Sequence, residues 1–239
     1  MNVKINMRKT KKLIPRGAEC SSAEIRTKKS VSLQLDQGNA CVRKETIMKN
    51  SKTYRLVVTA MLIAIATVLN QFAVVQLPVG GGVTIFSQVP IIALGVIFGP
   101  SWGLFSGFVF SLFQILFGLS NFSYVKGALS FVVLVLFDYV IPYTFLGFGD
   151  IFKGSFKNRS VELTLGTILV CFVRFLCHFI SGATIWADWA NGNSLDAILI
   201  YSLTYNGSYM LPETIITVIG ILALNKFLFP RLDENGVLK

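Results

Sequence analysis

Arg174 and His178 stand four residues apart in the apolar stretch RFLCHFISGATIW, and Trp186 follows about two helical turns after the histidine. On a helix this spacing puts Arg174 and His178 on one face. A guanidinium and an imidazole are costly inside an apolar span, so such residues face a cavity or a partner. Two readings are open: Arg174 pairs structurally with an acid on a neighbouring helix, or both side chains belong to a small-molecule pocket between helices. Asp138-Tyr139 poses the same question inside LVLFDYVIP. A carboxylate at mid-span costs roughly 2.5–3.5 kcal/mol on insertion scales, and its partner is either Arg174 or a cationic ligand. Tyr201, Tyr205 and Tyr209 recur every four residues and form a helical stripe, with Asn206 among them. Such a stripe fits helix packing as well as ligand contact. Taken together, the rings offer stacking and cation–π attraction, the carboxylate complements positive charge, and His with Asn can fix orientation by hydrogen bonding. The set suits a small, flat, polar or cationic heteroaromatic.

Other chemistries lack their residues. The sequence contains no G-x-x-x-x-G-K-[ST], and GDIFKGS at 149–155 has the wrong order, so ATP hydrolysis is not expected of this chain. Neither H-E-x-x-H nor G-x-S-x-G occurs. A single histidine in 239 residues rules out a His-rich metal site within one chain. Cys171 and Cys177 lie in one apolar stretch without metal-ligand spacing, and Cys20 and Cys41 lie near the start. No cofactor, metal or catalytic residue is therefore expected.

The elements that must position these residues are membrane spans. Hydrophobic residues make up 53% of the chain and charged ones only 14%, and the mean hydropathy is +0.64. Soluble domains carry about a quarter charged residues. The formal charge of +10 does not point to nucleic acid: eleven of the 22 basic residues, against four acids, fall within 1–47, leaving +3 for the rest. Apolar runs predict six transmembrane helices at about 56–75, 85–98, 102–119, 128–148, 161–185 and 197–229, the last long for a bilayer or kinked near Pro212. Gln76 to Thr84 (QLPVGGGVT) breaks the pattern and reads as a loop, either a lid or a connector. Ala60 and Ala64 make a small-xxx-small pair on the first span, suited to close helix approach. Orientation follows from the loops. Lys49, Lys52, Arg55, Lys153, Lys157, Arg159, Lys226 and Arg231 fall on one side and only Lys126 on the other, which predicts cytoplasmic termini and an outward-facing Gly81 loop.

The segments VGGGVTIFSQVPIIALGVIFGPSWGLFSG, LVLFDYVIP, RFLCHFISGATIW and IYSLTYNGSYMLP occur in the order and spacing of a known family. They resemble the thiamine-specific S components of energy-coupling-factor (ECF) transporters, over essentially all of Met48 to Arg231. The resemblance implies an all-α, six-helix bundle in the bacterial plasma membrane that binds thiamine at its outer end. It also implies association with an ECF module of one membrane coupling subunit and two ATPases, after which the S component topples and releases the vitamin inward. Asp138 then stands at an acidic position beside the ligand, with Tyr139 after it, and Arg174 at a basic one. His178, Trp186, Tyr201 and Asn206 align with ligand-contacting positions, and Ala60 and Ala64 with the alanine motif that meets the coupling subunit. One departure is visible: Gly81 stands where some members have a tryptophan, so that stacking surface must come from Tyr124 or Phe86, or be absent.

Residues 1–47 are basic and polar, have no sustained period, and lack the apolar core of a signal peptide. They read as a disordered cytoplasmic tail. A second reading treats them as an untranslated leader. Synonymous codons for Ala23-Glu24-Ile25 and for Leu35 to Lys44 can be chosen that resemble, in order, the conserved segments of a thiamine pyrophosphate riboswitch; translation would then begin at Met48. For the membrane domain, the competing readings are an S component for another vitamin or a thiamine precursor, and a stand-alone ion-coupled transporter. An enzyme using Asp138 and His178 as an acid–base pair is disfavoured by the lack of a nucleophile or metal.

Overall fold

The structure is a computed structural model that describes residues 52–77, 81–190, 194–234 and 237. The stretch 1–47, with both readings given for it, lies outside the described residues. Helix α1 (Lys52–Gln71) leads into a hairpin of strands β1 (Ala73–Gln76) and β2 (Gly82–Thr84). Helices α2 (Val89–Phe98) and α3 (Pro100–Phe117) follow, then a 3₁₀ turn at Leu119–Tyr124. The next helix, α4, occupies Ala128–Phe148 and changes pitch along its length. Helix α5 (Arg159–Thr184), a short 3₁₀ segment (Ala187–Trp189), α6 (Leu195–Phe227) and α7 (Phe229–Glu234) complete the chain.

Five of these helices, α1, α3, α4, α5 and α6, are long and apolar enough to cross a membrane. The remaining expected span is α2. It has 10 residues, all buried, and at 1.5 Å per residue reaches only about 15 Å, half a hydrocarbon core. Residues 85–88, assigned to that span from sequence, precede the helix: Phe86 adopts a positive φ of 57°, and Pro90 sets the first turn. Residues 72–75 likewise leave the first span. Val74 and Val75, β-branched, join the hairpin, in which Ala73 pairs with Thr84 and Val75 with Val83. The expected Gln76–Thr84 loop is therefore in part a strand pair, the one departure from an all-α fold among the described residues.

The outer surface carries an apolar band. Leu56, Met61, Val68, Leu116, Leu211 and Ile219 are all more than half exposed, and a water-soluble surface does not tolerate so many. Helix α6 runs 33 residues, roughly 50 Å, and passes Pro212 without ending. Helices α5 and α6 pack most extensively on each other. Gly182 permits their approach, because a β-carbon there would meet Asn206 Nδ2 at 2.9 Å. At the opposite end, Asp150 and Glu162 both hold Arg159, at 2.6 and 3.0 Å.

Candidate functional site

A change of pitch presents the acid. Residues Leu134–Val140 of α4 form a π-helical segment, a wider turn than the α-helix and one found mostly at functional sites. It turns the consecutive residues Asp138 and Tyr139 both inward, so that both are buried and both line the same cavity. Asp138 is 8% exposed. Its partner is not Arg174. His178 Nδ1 lies 3.1 Å from Asp138 Oδ1, and Trp186 Nε1 donates to Oδ2 at 3.3 Å. The i, i+4 spacing on α5 thus separates two jobs. His178 joins the acid of α4, while Arg174, 6% exposed, donates to Glu213 Oε2 of α6 at 2.6 Å.

Glu213 is the residue that the sequence reading missed. It is 2% exposed and accepts a second hydrogen bond from Thr84 Oγ1 at the end of β2. Its signal was present: a carboxylate inside an apolar span, one turn after Tyr209, facing a chain with a cation to place. The Arg174 guanidinium also sits over the Tyr143 ring, 5.5 Å from its centroid.

Two adjoining cavities result. The upper, about 110 Å³, is lined by Asp138, Tyr139, Trp186, Tyr201, Tyr205 and Asn206. Beside it a lower cavity of about 380 Å³ is lined by Asn70, Gln76, Thr84, Arg174 and Glu213. Gly81, Tyr143, His178 and Tyr209 belong to both. Small-molecule sites usually occupy about 300–1,000 Å³; the cavity of about 380 Å³ lies within that range and the one of about 110 Å³ adjoins it. All seven side chains expected at the site therefore meet around one space: six line the upper cavity, and Arg174, with His178 shared, lines the lower.

Asn206 braces as well as lines. Its Nδ2 donates to the His178 carbonyl at 3.2 Å and to the Ser202 carbonyl at 2.9 Å, and its Oδ1 accepts from Tyr209 at 2.9 Å. Tyr139 donates to the Gly118 carbonyl at 3.1 Å and accepts from Asn121 at 2.9 Å. The hairpin covers the site: Gly81 N donates to the Tyr205 hydroxyl at 3.1 Å. A β-carbon on Gly81 would meet Tyr209 Cε1 at 2.9 Å, which explains glycine there. At the rim Tyr124 packs on Trp186 with ring centroids 4.9 Å apart, and Lys126 pairs with Asp188.

Residues 56–231 match the family model for thiamine transporter protein (Thia_YuaJ). The chain belongs to the thiamine transporter protein family. The thiamine transporter ThiT of Bacillus subtilis (strain 168) is 30% identical over 198 residues, covering 78% of this chain and 97% of that one. A solved structure of ThiT from Listeria monocytogenes superposes with a TM-score of 0.61 at 19% identity, over 77% of this chain and 98% of that one, and so shares the fold. This member of the thiamine transporter family is thus a multi-pass protein of the bacterial plasma membrane, and its relatives are transporters rather than enzymes. Of the two replacements considered for a loop aromatic at Gly81, Phe86 is turned away: it packs at Gly220, outside both cavities. Tyr124 touches Trp186 at the rim, and Tyr205 occupies the space against Gly81 itself.

Proposed function

We propose that this chain is the thiamine-binding S component of an ECF-type uptake system. Thiamine joins a permanently cationic thiazolium to an aminopyrimidine and ends in a hydroxyethyl tail. The observation that carries the reading is a charge count. Arg174 and Glu213 cancel. Asp138, in contact with the His178 ring and the Trp186 indole N–H, is the second carboxylate of this ring-lined site and, among the described residues, the one without an arginine or lysine beside it. A monocation neutralises it, and the tyrosine and tryptophan faces add cation–π and stacking contacts of about 0.5–2 kcal/mol each.

The same reading gives the orientation and the partners. The hairpin and the Lys126 and Asp188 segments face outward, and both termini are cytoplasmic, in keeping with the basic residues of the short loops. Helix α2 together with the non-helical residues 82–88 before it makes the second crossing of six. The α1 face bearing Ala60 and Ala64, both exposed, meets the coupling subunit, whose two ATPases supply the energy. In the test, the purified chain is titrated with thiamine without nucleotide and then sealed alone into liposomes. Saturable binding without sustained accumulation is expected. Accumulation driven by an ion gradient alone would replace this reading with a self-sufficient carrier.

A further inference from the structure

We propose that Thr59 and Asn70 are positioning residues: their hydrogen bonds to α3 fix the rotation of α1, and that rotation turns Ala60 and Ala64 outward to the coupling subunit. The inference rests on the docking face given above for α1.

Apolar content does not set how α1 turns. Its outward side carries Leu56, Val57, Met61, Ile65 and Val68, and its inward side Ile63 and Ala66, so lipid and protein both meet apolar surface. Between helices in a bilayer no hydrophobic force chooses one apolar face over another; packing and interhelical hydrogen bonds do. A turn of α1 by one residue, about 100°, would carry Leu56, Ala60, Ala64 and Thr67 inward and hide the small residues. Two polar ties oppose that turn. Trp102 Nε1 donates to Thr59 Oγ1 at 2.8 Å, and Asn70 Nδ2 donates to Gln114 Oε1 at 2.6 Å. Thr59 and Gln114 are both buried. The bonds join the same two helices, α1 and α3, at sequence offsets of 43 and 44. Thr59 and Asn70 stand about three turns apart, roughly 16 Å, on the stripe that also holds Ile63 and Ala66. A helix tied at one point can pivot about it, whereas ties at two levels of one face stop both pivot and turn. Ring contacts back the first tie. One turn before Thr59 the Arg55 guanidinium lies over the Phe98 ring, 5.8 Å from its centroid, and Phe98 meets Trp102 edge-on. Ala60, the residue after Thr59, is thereby left exposed, with Ala64 one turn further on.

Asn70 also lines the larger cavity, so the test uses the Thr59–Trp102 tie. Thr59→Val removes the acceptor and keeps the side-chain shape, and Trp102→Phe removes the donor. Each should hold thiamine affinity at the wild-type value and lower recovery of the coupling subunit in a detergent pull-down by about fivefold, the population shift that one hydrogen bond commands. Either variant decides if the other does not purify. The double variant should lose no more than a single one, because both changes break the same bond. Thr59→Ser, which keeps the hydroxyl, should recover the subunit as wild type does. Wild-type recovery in either single variant would overturn the inference, as would an equal loss in Thr59→Ser or a thiamine affinity that falls in step with recovery. Ala60→Trp is measured beside them. If it too leaves recovery undiminished, the docking face itself is wrong, and the two failures are distinct.

Discussion

Asp138 and Trp186 meet at 3.3 Å, where the indole N–H donates to the carboxylate, and both line the cavity. Each should therefore matter to affinity more than to folding. Replacing either Asp138 or Trp186 by alanine is expected to weaken thiamine binding at least tenfold, about 1.4 kcal/mol, in protein that still inserts and purifies; calorimetry with unchanged affinity would exclude the residue. The pair was legible from residue types alone, since an acid at mid-span announces a partner. Which partner was not legible. Sequence spacing placed Arg174 and His178 on one face of α5, but the choice between Asp138 and Glu213 depends on how far along the axis α4 and α6 each reach, and that is a packing property. Glu213 was legible by the same rule as Asp138, a carboxylate inside an apolar span; only its pairing with Arg174 needed the packing.

At the scale of elements, the π-helical turn of α4 and the hairpin do the positioning. Hydrophobic runs set the long helices to within a few residues, because a span needs only length and apolar content. The hairpin was hidden in a glycine-rich break, where strand pairing depends on backbone register rather than on pattern. It is pinned at two points, by Thr84 to Glu213 and by Gly81 to Tyr205, and both pins hold residues that line the cavities. A larger residue at Gly81 must push off Tyr205 and Tyr209. Gly81→Leu should thus lift the cover and speed thiamine dissociation, by about tenfold on the scale of one lost clamp, while association changes little. Stopped-flow release at the wild-type rate would show that the hairpin does not retain the ligand.

Across the whole molecule, the polar machinery lies at the hairpin end, and the α1 flank offers only apolar and small side chains. Ala60 and Ala64 are exposed there next to Leu56, Val57 and Met61, a face on which another helix can come close. Tryptophan at either alanine is expected to spare thiamine binding, abolish uptake, and lower recovery of the coupling subunit in a detergent pull-down severalfold. Undiminished recovery would reassign the docking face. The account as a whole stands on one titration: the detergent-purified chain, thiamine added stepwise, and tryptophan emission followed alongside heat. Saturable one-to-one binding is predicted, with quenching that is reduced in Trp186→Phe, because Trp186 lines the cavity whereas Trp102 hydrogen-bonds Thr59 at 2.8 Å and lines neither cavity. Heat and emission that stay flat at thiamine concentrations well above those of the protein would contradict it.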